Sequence, residues 1–285
     1  MPKANASDTA GLAEGVASGA FGVSSLFGSF SGKVCLVTGG GSGIGAAITC
    51  GLVANGATVY IASRKDTSSF ADALTSAAGS SGGRCISMRA DLANDDGVVA
   101  LAAELLAREK SLHLLVNNSG TNWAEDVSTY PMKAWDKVYA LNVKAVFHLT
   151  RECLPLLEAS GTKGDPARVV NISSIEGLIV PAHDTYAYSS GKAAVSHMTR
   201  VMAGKFEGRN ITVNAILPGP FRSRMMAGTL KAAGEDLIAS GTVLNRIGEP
   251  QDIAGTTLFL ASKAGSYVNG ATLTCDGGMT VKAKF

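Results

Sequence analysis

Short apolar runs and longer stretches of helical spacing take turns along this chain. Residues 34–37, 58–62, 85–90, 112–116, 168–174, 211–217 and 272–274 are rich in aliphatic and β-branched side chains. Most lack strict polar alternation, as expected of strands covered on both faces. Between them, apolar residues recur at helical spacing from Ala46 onward and over 67–78, 98–109, 132–157, 188–206 and 251–260, predicting amphipathic helices. Pro155 is expected to kink or close the long helix 132–157, because proline lacks the N–H a helix interior needs. Residues 221–248 mix helical and loop patterns. Strands and helices alternating through short joins predict an α/β fold, a single doubly wound parallel sheet of about seven strands with helices on both faces. No internal repeat or second domain is visible.

The first run breaks at Thr38 into Gly39, Gly40, Gly41, Ser42, Gly43, Ile44 and Gly45. A tight strand-to-helix turn asks for backbone angles that other residues resist, and a ligand can approach a backbone free of Cβ atoms. The helix that follows presents unpaired N–H groups and a positive dipole end, which suits a pyrophosphate.

Composition narrows the partners. A chain of 285 residues with 46% hydrophobic content can bury a full core in one domain. The net charge of +2, from 25 basic and 23 acidic residues with no basic block, argues against nucleic acid and for a small molecule. The five cysteines, Cys35, Cys50, Cys85, Cys153 and Cys275, show no CxxC spacing. They read as buried thiols of a reducing compartment, so the cytoplasm is the expected location. His113, His148, His183 and His197 form no ligand-spaced cluster, and no metal is expected. No stretch approaches ~20 continuous apolar residues, so no membrane span is expected.

Residues 1–32 are rich in Ala, Gly and Ser and carry only Lys3, Asp8 and Glu14 as charges. They are expected to be a flexible extension that orders near Leu26 and Phe27, with residues 33–285 as the ligand-binding domain. The segment lacks the arginines of a mitochondrial presequence. Its apolar residues offer an alternative, docking on a neighbouring subunit.

The spacing Thr38-Gly39-xxx-Gly43-Ile44-Gly45 resembles the TGxxxGIG signature of the short-chain dehydrogenase/reductase family. Asn117-Asn118-Ser119-Gly120 resembles that family's NNAG motif, with Ser119 in place of alanine. Asn142, Ser174, Tyr188 and Lys192 resemble its catalytic Asn-Ser-Tyr-Lys tetrad, the Tyr-x-x-x-Lys pair starting fourteen residues after the serine. The resemblance runs from about Lys33 to Gly278. It implies a Rossmann-type fold, a nicotinamide cofactor and hydride transfer between that cofactor and a carbonyl or alcohol carbon.

The spacing of Tyr188 and Lys192 carries chemistry of its own. At i and i+4 they share one helix face. A free phenol titrates near ~10, and a cation ~4 Å away at an effective dielectric of ~20 contributes roughly 4 kcal/mol, lowering that value by up to ~3 units. Tyr188 is thereby expected to serve as general acid in reduction and base in oxidation. The resemblance implies that Ser174 bonds the substrate oxygen, that Lys192 also binds the nicotinamide ribose, and that Asn142 holds a water between Lys192 and solvent. Ser173 competes with Ser174, but strand alternation sends the two to opposite faces. Tyr186, followed four residues on by Ser190, is expected to be a pocket wall.

Cofactor preference is read at the end of the second strand. Relatives preferring NAD carry an acidic residue there; this chain has Ser63 followed by Arg64. A guanidinium can hold a phosphate bidentately, so NADP(H) is expected, with NAD disfavoured. Some NADP-dependent relatives carry a further base in the glycine turn, where Ser42 stands here. The resemblance also assigns to the cofactor Gly39, Gly41, Ser42, Gly43, Ile44 and Gly45, and Asp91 with Leu92 at the adenine. Asn118, Ser119 and Gly120 follow, then Pro218, Gly219, Phe221 and Ser223 beside the nicotinamide, with Tyr188 and Lys192 at its ribose.

Substrate choice falls to Thr121, Asn122 and Trp123, to Glu176, Leu178 and His183, and to residues 221–245. The last combine Met225, Met226, Leu230, Leu237 and Ile238 with Gly228, Gly234 and Gly241, the makings of a mobile apolar lid. The wording of several segments, PARVVNISS among them, is similar to 3-oxoacyl reductases and implies β-ketoacyl reduction. The alternatives are a carbonyl reductase or alcohol dehydrogenase acting on a hydrophobic or cyclic ketone, and a catalytically idle NADP-binding protein. The family assembles as dimers or tetramers through its two long helices, here 132–157 and 188–206. Ala140, Ala145, Ala193 and Ala194 would permit close packing there.

Overall fold

In the computed structural model, which describes residues 6–283, every strand runs parallel to its neighbours. The strands are β1 (Val34–Thr38), β2 (Thr58–Ser63), β3 (Arg84–Arg89), β4 (Leu114–Asn117), β5 (Ala167–Ile172), β6 (Ile211–Pro218) and β7 (Thr272–Cys275). They form one seven-stranded sheet in the order β3-β2-β1-β4-β5-β6-β7. The helices are α1 (Ala6–Ala17), α2 (Val23–Phe27), α3 (Gly43–Ala54), α4 (Ser68–Ala78), α5 (Asp95–Arg108), α6 (Met132–Tyr139), α7 (Ala145–Glu152), α8 (Leu154–Ser160), α9 (Tyr186–Lys205), α10 (Ala227–Ala233), α11 (Glu235–Ser240) and α12 (Pro250–Ala261).

The strands read as continuous apolar runs because both faces are covered. Leu36 packs with Leu105, Leu115 and Leu149 on one side, while Cys35 and Val37 pack with Ile48, Leu52 and Ile253 on the other. Burying each such side chain contributes roughly 1.5–3 kcal/mol. The strand order reverses between β1 and β4, and such a reversal opens a crevice at the carboxyl ends of the strands. Beneath it, Asn117 donates to Asn171 Oδ1 at 2.9 Å and to Thr150 Oγ1 at 3.1 Å, and Asn171 donates to Thr199 Oγ1 at 2.9 Å. These buried bonds tie β4 and β5 to α7 and α9.

Three expectations need correction, and the segment before the first strand can be described further. The helix 132–157 is three helices: a π-helical turn, Ala140–Lys144, separates α6 from α7, and Pro155 stands in the first turn of a new helix, α8, rather than inside an old one. The segment before Lys33 carries α1 and α2, with Val16, Phe21 and Val23 exposed; residues 1–5 of the expected extension lie outside the described residues. Cys50 is exposed rather than buried. Ala145 is buried against its own core, so it is not available to a second subunit. Among the described residues no helix is long and apolar enough to cross a membrane.

Candidate active site

The turn after β1 is as tight as its glycines suggest. Gly39 and Gly43 take φ of 67° and 54°, angles that favour glycine. A Cβ on Gly39 would stand 2.9 Å from Asn118 Nδ2, and one on Gly43 would stand 3.1 Å from Ser223 Cβ. Ser42 precedes α3 in extended backbone conformation, and its side chain makes no cap bond to the helix. Asn118 and Ser119 reach this turn through Thr38, whose hydroxyl accepts from both their N–H groups at 2.9 Å. The Asn118 amide donates to the Thr38 carbonyl at 2.8 Å; it shapes the turn from behind.

The four tetrad positions converge at the carboxyl ends of β4 and β5. Ser174 leaves β5 buried, while Ser173 turns away and donates to the Lys192 carbonyl at 2.7 Å. Tyr188 and Lys192 share the inner face of α9, with Nζ 5.4 Å from the phenol ring centre. A Cβ on Gly120 would lie 3.4 Å from Asn142 Oδ1 and 3.8 Å from Lys192 Nζ, so these three meet. Asn142 sits within the π-helical turn, a departure from α geometry that recurs at functional sites. Its side-chain amide accepts from Thr121 N at 2.8 Å and donates to Thr121 O at 2.9 Å. Tyr186 is exposed at the rim.

Residues 39–280 match the protein family described as enoyl-(acyl carrier protein) reductase. The chain is 39% identical over 253 residues to the rhamnolipids biosynthesis 3-oxoacyl-[acyl-carrier-protein] reductase of Pseudomonas aeruginosa, covering 88% of this chain and 97% of that protein. It is 34% identical to the 2-dehydro-3-deoxy-D-gluconate 5-dehydrogenase of Escherichia coli, over 88% and 96% of the two chains. The solved Pseudomonas aeruginosa RhlG/NADP active-site complex superposes with a TM-score of 0.83 at 37% identity, over 90% of this chain and 99% of that one. The chain belongs to the short-chain dehydrogenase/reductase family. It is an oxidoreductase of that family.

Electrostatics in this dehydrogenase/reductase depart from the expected simple pairing. Burial, and then the Glu176 carboxylate, hold the Tyr188 phenol above its ordinary value, with Ser174 acting the other way. Burial brings Lys192 down to about 8, against the pull of Glu176. The Lys192 ammonium donates to the Ile172 carbonyl at 2.7 Å and sits over the ring face. Desolvation of a buried phenolate therefore outweighs the cation that was expected to favour it.

The rest of the cofactor positions divide by what they touch. Ser63 ends β2 and Arg64 follows it, exposed. Asp91 Oδ1 accepts from Ala93 N at 3.1 Å and Leu92 is buried. Ile44 packs against the core of the α3 face. Pro218 ends β6, and Gly219 lies so close to Asp276 that a Cβ would stand 2.7 Å from it. Phe221 is buried against Gly248, so its ring belongs to the core. Ser223 Oγ accepts from Met226 N at 3.2 Å. Residues 221–245 form α10 and α11, neither with a buried residue, joined at Gly234 with φ 78° and tied down by Arg222 to Glu235 and Glu249.

Two charges stand in places that the sequence does not announce. Arg89 is the parallel partner of Ser63 across β2 and β3 and is exposed beside Arg64; only the strand register reveals it. Glu176, expected among the substrate-choosing residues, is also the charge that acts on Tyr188 and Lys192. Among the described residues no group of three or more His, Cys, Asp or Glu side chains could hold a metal ion. The glycine turn, the open Ser42 hydroxyl and the bases at the ends of β2 and β3 fit a phosphorylated dinucleotide.

Proposed function

We propose that this enzyme reduces the ketone of a hydrophobic substrate, a 3-oxoacyl thioester first among them, with NADPH, and runs the reverse oxidation with NADP. The observation that carries this reading is the convergence of Ser174, Tyr188 and Lys192 at the sheet end that carries the glycine turn, with exposed Arg64 and Arg89 at the ends of β2 and β3. NADPH would be held by the N–H groups at the start of α3, by Arg64 and Arg89 at its 2′-phosphate, and by Lys192 at its ribose. When bound it supplies the hydride. Ser174 donates a hydrogen bond to the substrate carbonyl oxygen, and the Tyr188 phenol hands that oxygen its proton. Because the Asn142 side chain is committed to Thr121, a water held at this residue would bond its main chain.

Trp123, Leu178, Val180 and Met225 stand exposed on the substrate-choosing segments, an apolar rim that suits an acyl chain better than a free sugar. The similarity to a 3-oxoacyl reductase supports the same class. Assembly through α7 and α9 is part of the proposal: Phe147 and Val201 stand about half exposed on them, at 48% and 47%. The five free cysteines support a reducing, cytoplasmic location as part of the same proposal. An NADPH-oxidation screen across 3-oxoacyl thioesters, cyclic ketones and aldehydes, repeated with NADH, tests the assignment. Thioester turnover with NADPH is expected; faster reduction of cyclic ketones would move the substrate class, and equal rates with NADH would overturn the cofactor preference.

A further inference from the structure

A compact set of contacts ties the turn after Ser174 to the helix that carries Tyr188. The Glu176 carboxylate accepts a 2.9 Å hydrogen bond from Thr185 Oγ1 and a 3.3 Å bond from Ser189 Oγ, and those two hydroxyls lie 2.9 Å apart. Thr185 is buried and immediately precedes α9, yet its side chain caps no helix N–H. Its hydroxyl is given to Glu176 instead. The Glu176 N–H in turn donates to Ser174 Oγ at 3.1 Å. One residue on, Gly177 approaches α9 so closely that a Cβ would stand 2.8 Å from Ala193 N and 2.9 Å from the Lys192 carbonyl carbon. The turn thus rests on the helix backbone beside Lys192 and grips the helix start beside Tyr188.

We propose that Glu176 is a positioning residue for proton transfer: by holding Thr185 and Ser189 it sets Tyr188 and Ser174 against one substrate oxygen. The inference rests on the reading of Tyr188 and Ser174 as the proton-transfer pair. Hydrogen bonds to a carboxylate are the strong ones, and an ångström of misplacement in such a pair costs about 100-fold in rate. Thr185 and Ser189 act on Tyr188 from either side of it in sequence, so loosening them frees the first turn of α9.

The test uses the full chain with acetoacetyl-CoA or cyclohexanone, whichever the native enzyme reduces faster. It measures kcat, KM and NADPH binding for Glu176→Ala, Glu176→Gln, Thr185→Val and Tyr188→Phe. Glu176→Ala and Thr185→Val are expected to lose about 10-fold or more in kcat with NADPH affinity unchanged. Glu176→Gln keeps an acceptor oxygen and is expected to recover to within about 3-fold of native. A Glu176→Ala enzyme within about 2-fold of native, or a Gln variant as slow as the Ala one, overturns the proposal. Should Glu176→Ala not fold, Thr185→Val is held to the same thresholds. Normal turnover by Tyr188→Phe would overturn the proton-transfer pair itself; an inactive Tyr188→Phe beside an unimpaired Glu176→Ala overturns the positioning role alone.

Discussion

The Lys192 ammonium lies over the Tyr188 ring, 5.4 Å from its centre, and donates its hydrogen bond to the Ile172 carbonyl at 2.7 Å rather than to the phenol. The phenol is therefore governed by burial and by Glu176, both of which keep it protonated. A protonated phenol is the form needed to reduce a ketone, and its conjugate base is the form needed to oxidise an alcohol.

That arrangement fixes the sign of the pH dependence. Alcohol oxidation should climb as pH rises through the neutral range, because Tyr188 loses its proton only above its ordinary value. Replacing Glu176 with Gln removes a negative charge that disfavours the phenolate, so the oxidation profile should move to lower pH. Tyr188→Phe should lose about 100-fold or more in ketone reduction while still binding NADPH. Initial rates from pH 6 to 10 in both directions check the signs; a shift to higher pH in Glu176→Gln would contradict them.

Arg64→Ala should raise KM for NADPH by about 10- to 100-fold, the worth of roughly 1.5–3 kcal/mol in hydrogen bonds to a charged group. NADH kinetics should be unmoved. Arg89→Ala should follow the same pattern more weakly, since Asp66 lies within reach of its charge. Steady-state kinetics with both cofactors decide this, and an equal effect on NADH would place the arginines elsewhere.

At the opposite end of the sheet, Arg168 is buried and donates to Asp165 at 2.6 Å and to Ser262 O at 2.9 Å, while Lys33 also reaches Asp165 at 2.6 Å. Burial would raise the Asp165 carboxyl, but the bonds from Lys33 and Arg168 outweigh it and hold the group below its ordinary value. Stability from this carboxylate is therefore present above an unfolded pKa of ~3.9 and lost as pH falls below it. Asp165→Asn should cost roughly 1–3 kcal/mol at neutral pH, with the deficit shrinking toward pH 3. Thermal unfolding at pH 7 and pH 3 measures both.

Light scattering at micromolar concentration should give a dimer or tetramer. Phe147→Glu combined with Val201→Glu should shift it toward monomer, because each replaces an exposed apolar side chain of α7 or α9 with a charge. A native monomer would remove these helices as an interface.

The strands were legible because burial on both faces leaves a long apolar signature, and Leu36 with its neighbours shows it. The glycine turn and the tetrad positions were legible as spacings. Other features leave no such trace. The π-helical turn changes no residue type, so the run from Met132 reads as one helix although Asn142 sits where it is interrupted. Arg89 enters the picture only through strand register, and the action of Glu176 on Tyr188 only through the fold of a turn. The Ala-rich segment of α1 has little apolar periodicity, so its helix was unreadable. The buried Asn117–Asn171–Thr199 chain crosses elements far apart in sequence, and no local pattern announces it.

The π-helical turn at Ala140–Lys144 uncouples how far the chain has travelled from which way its side chains point. An α-helix rotates by about 100° per residue, so removing one residue there would regularise the spiral and swing Leu149 and Cys153 away from the sheet. Asn142 can thus reach back to Thr121 while the next two turns seal the interior. In this stretch, orientation is stored as one surplus residue.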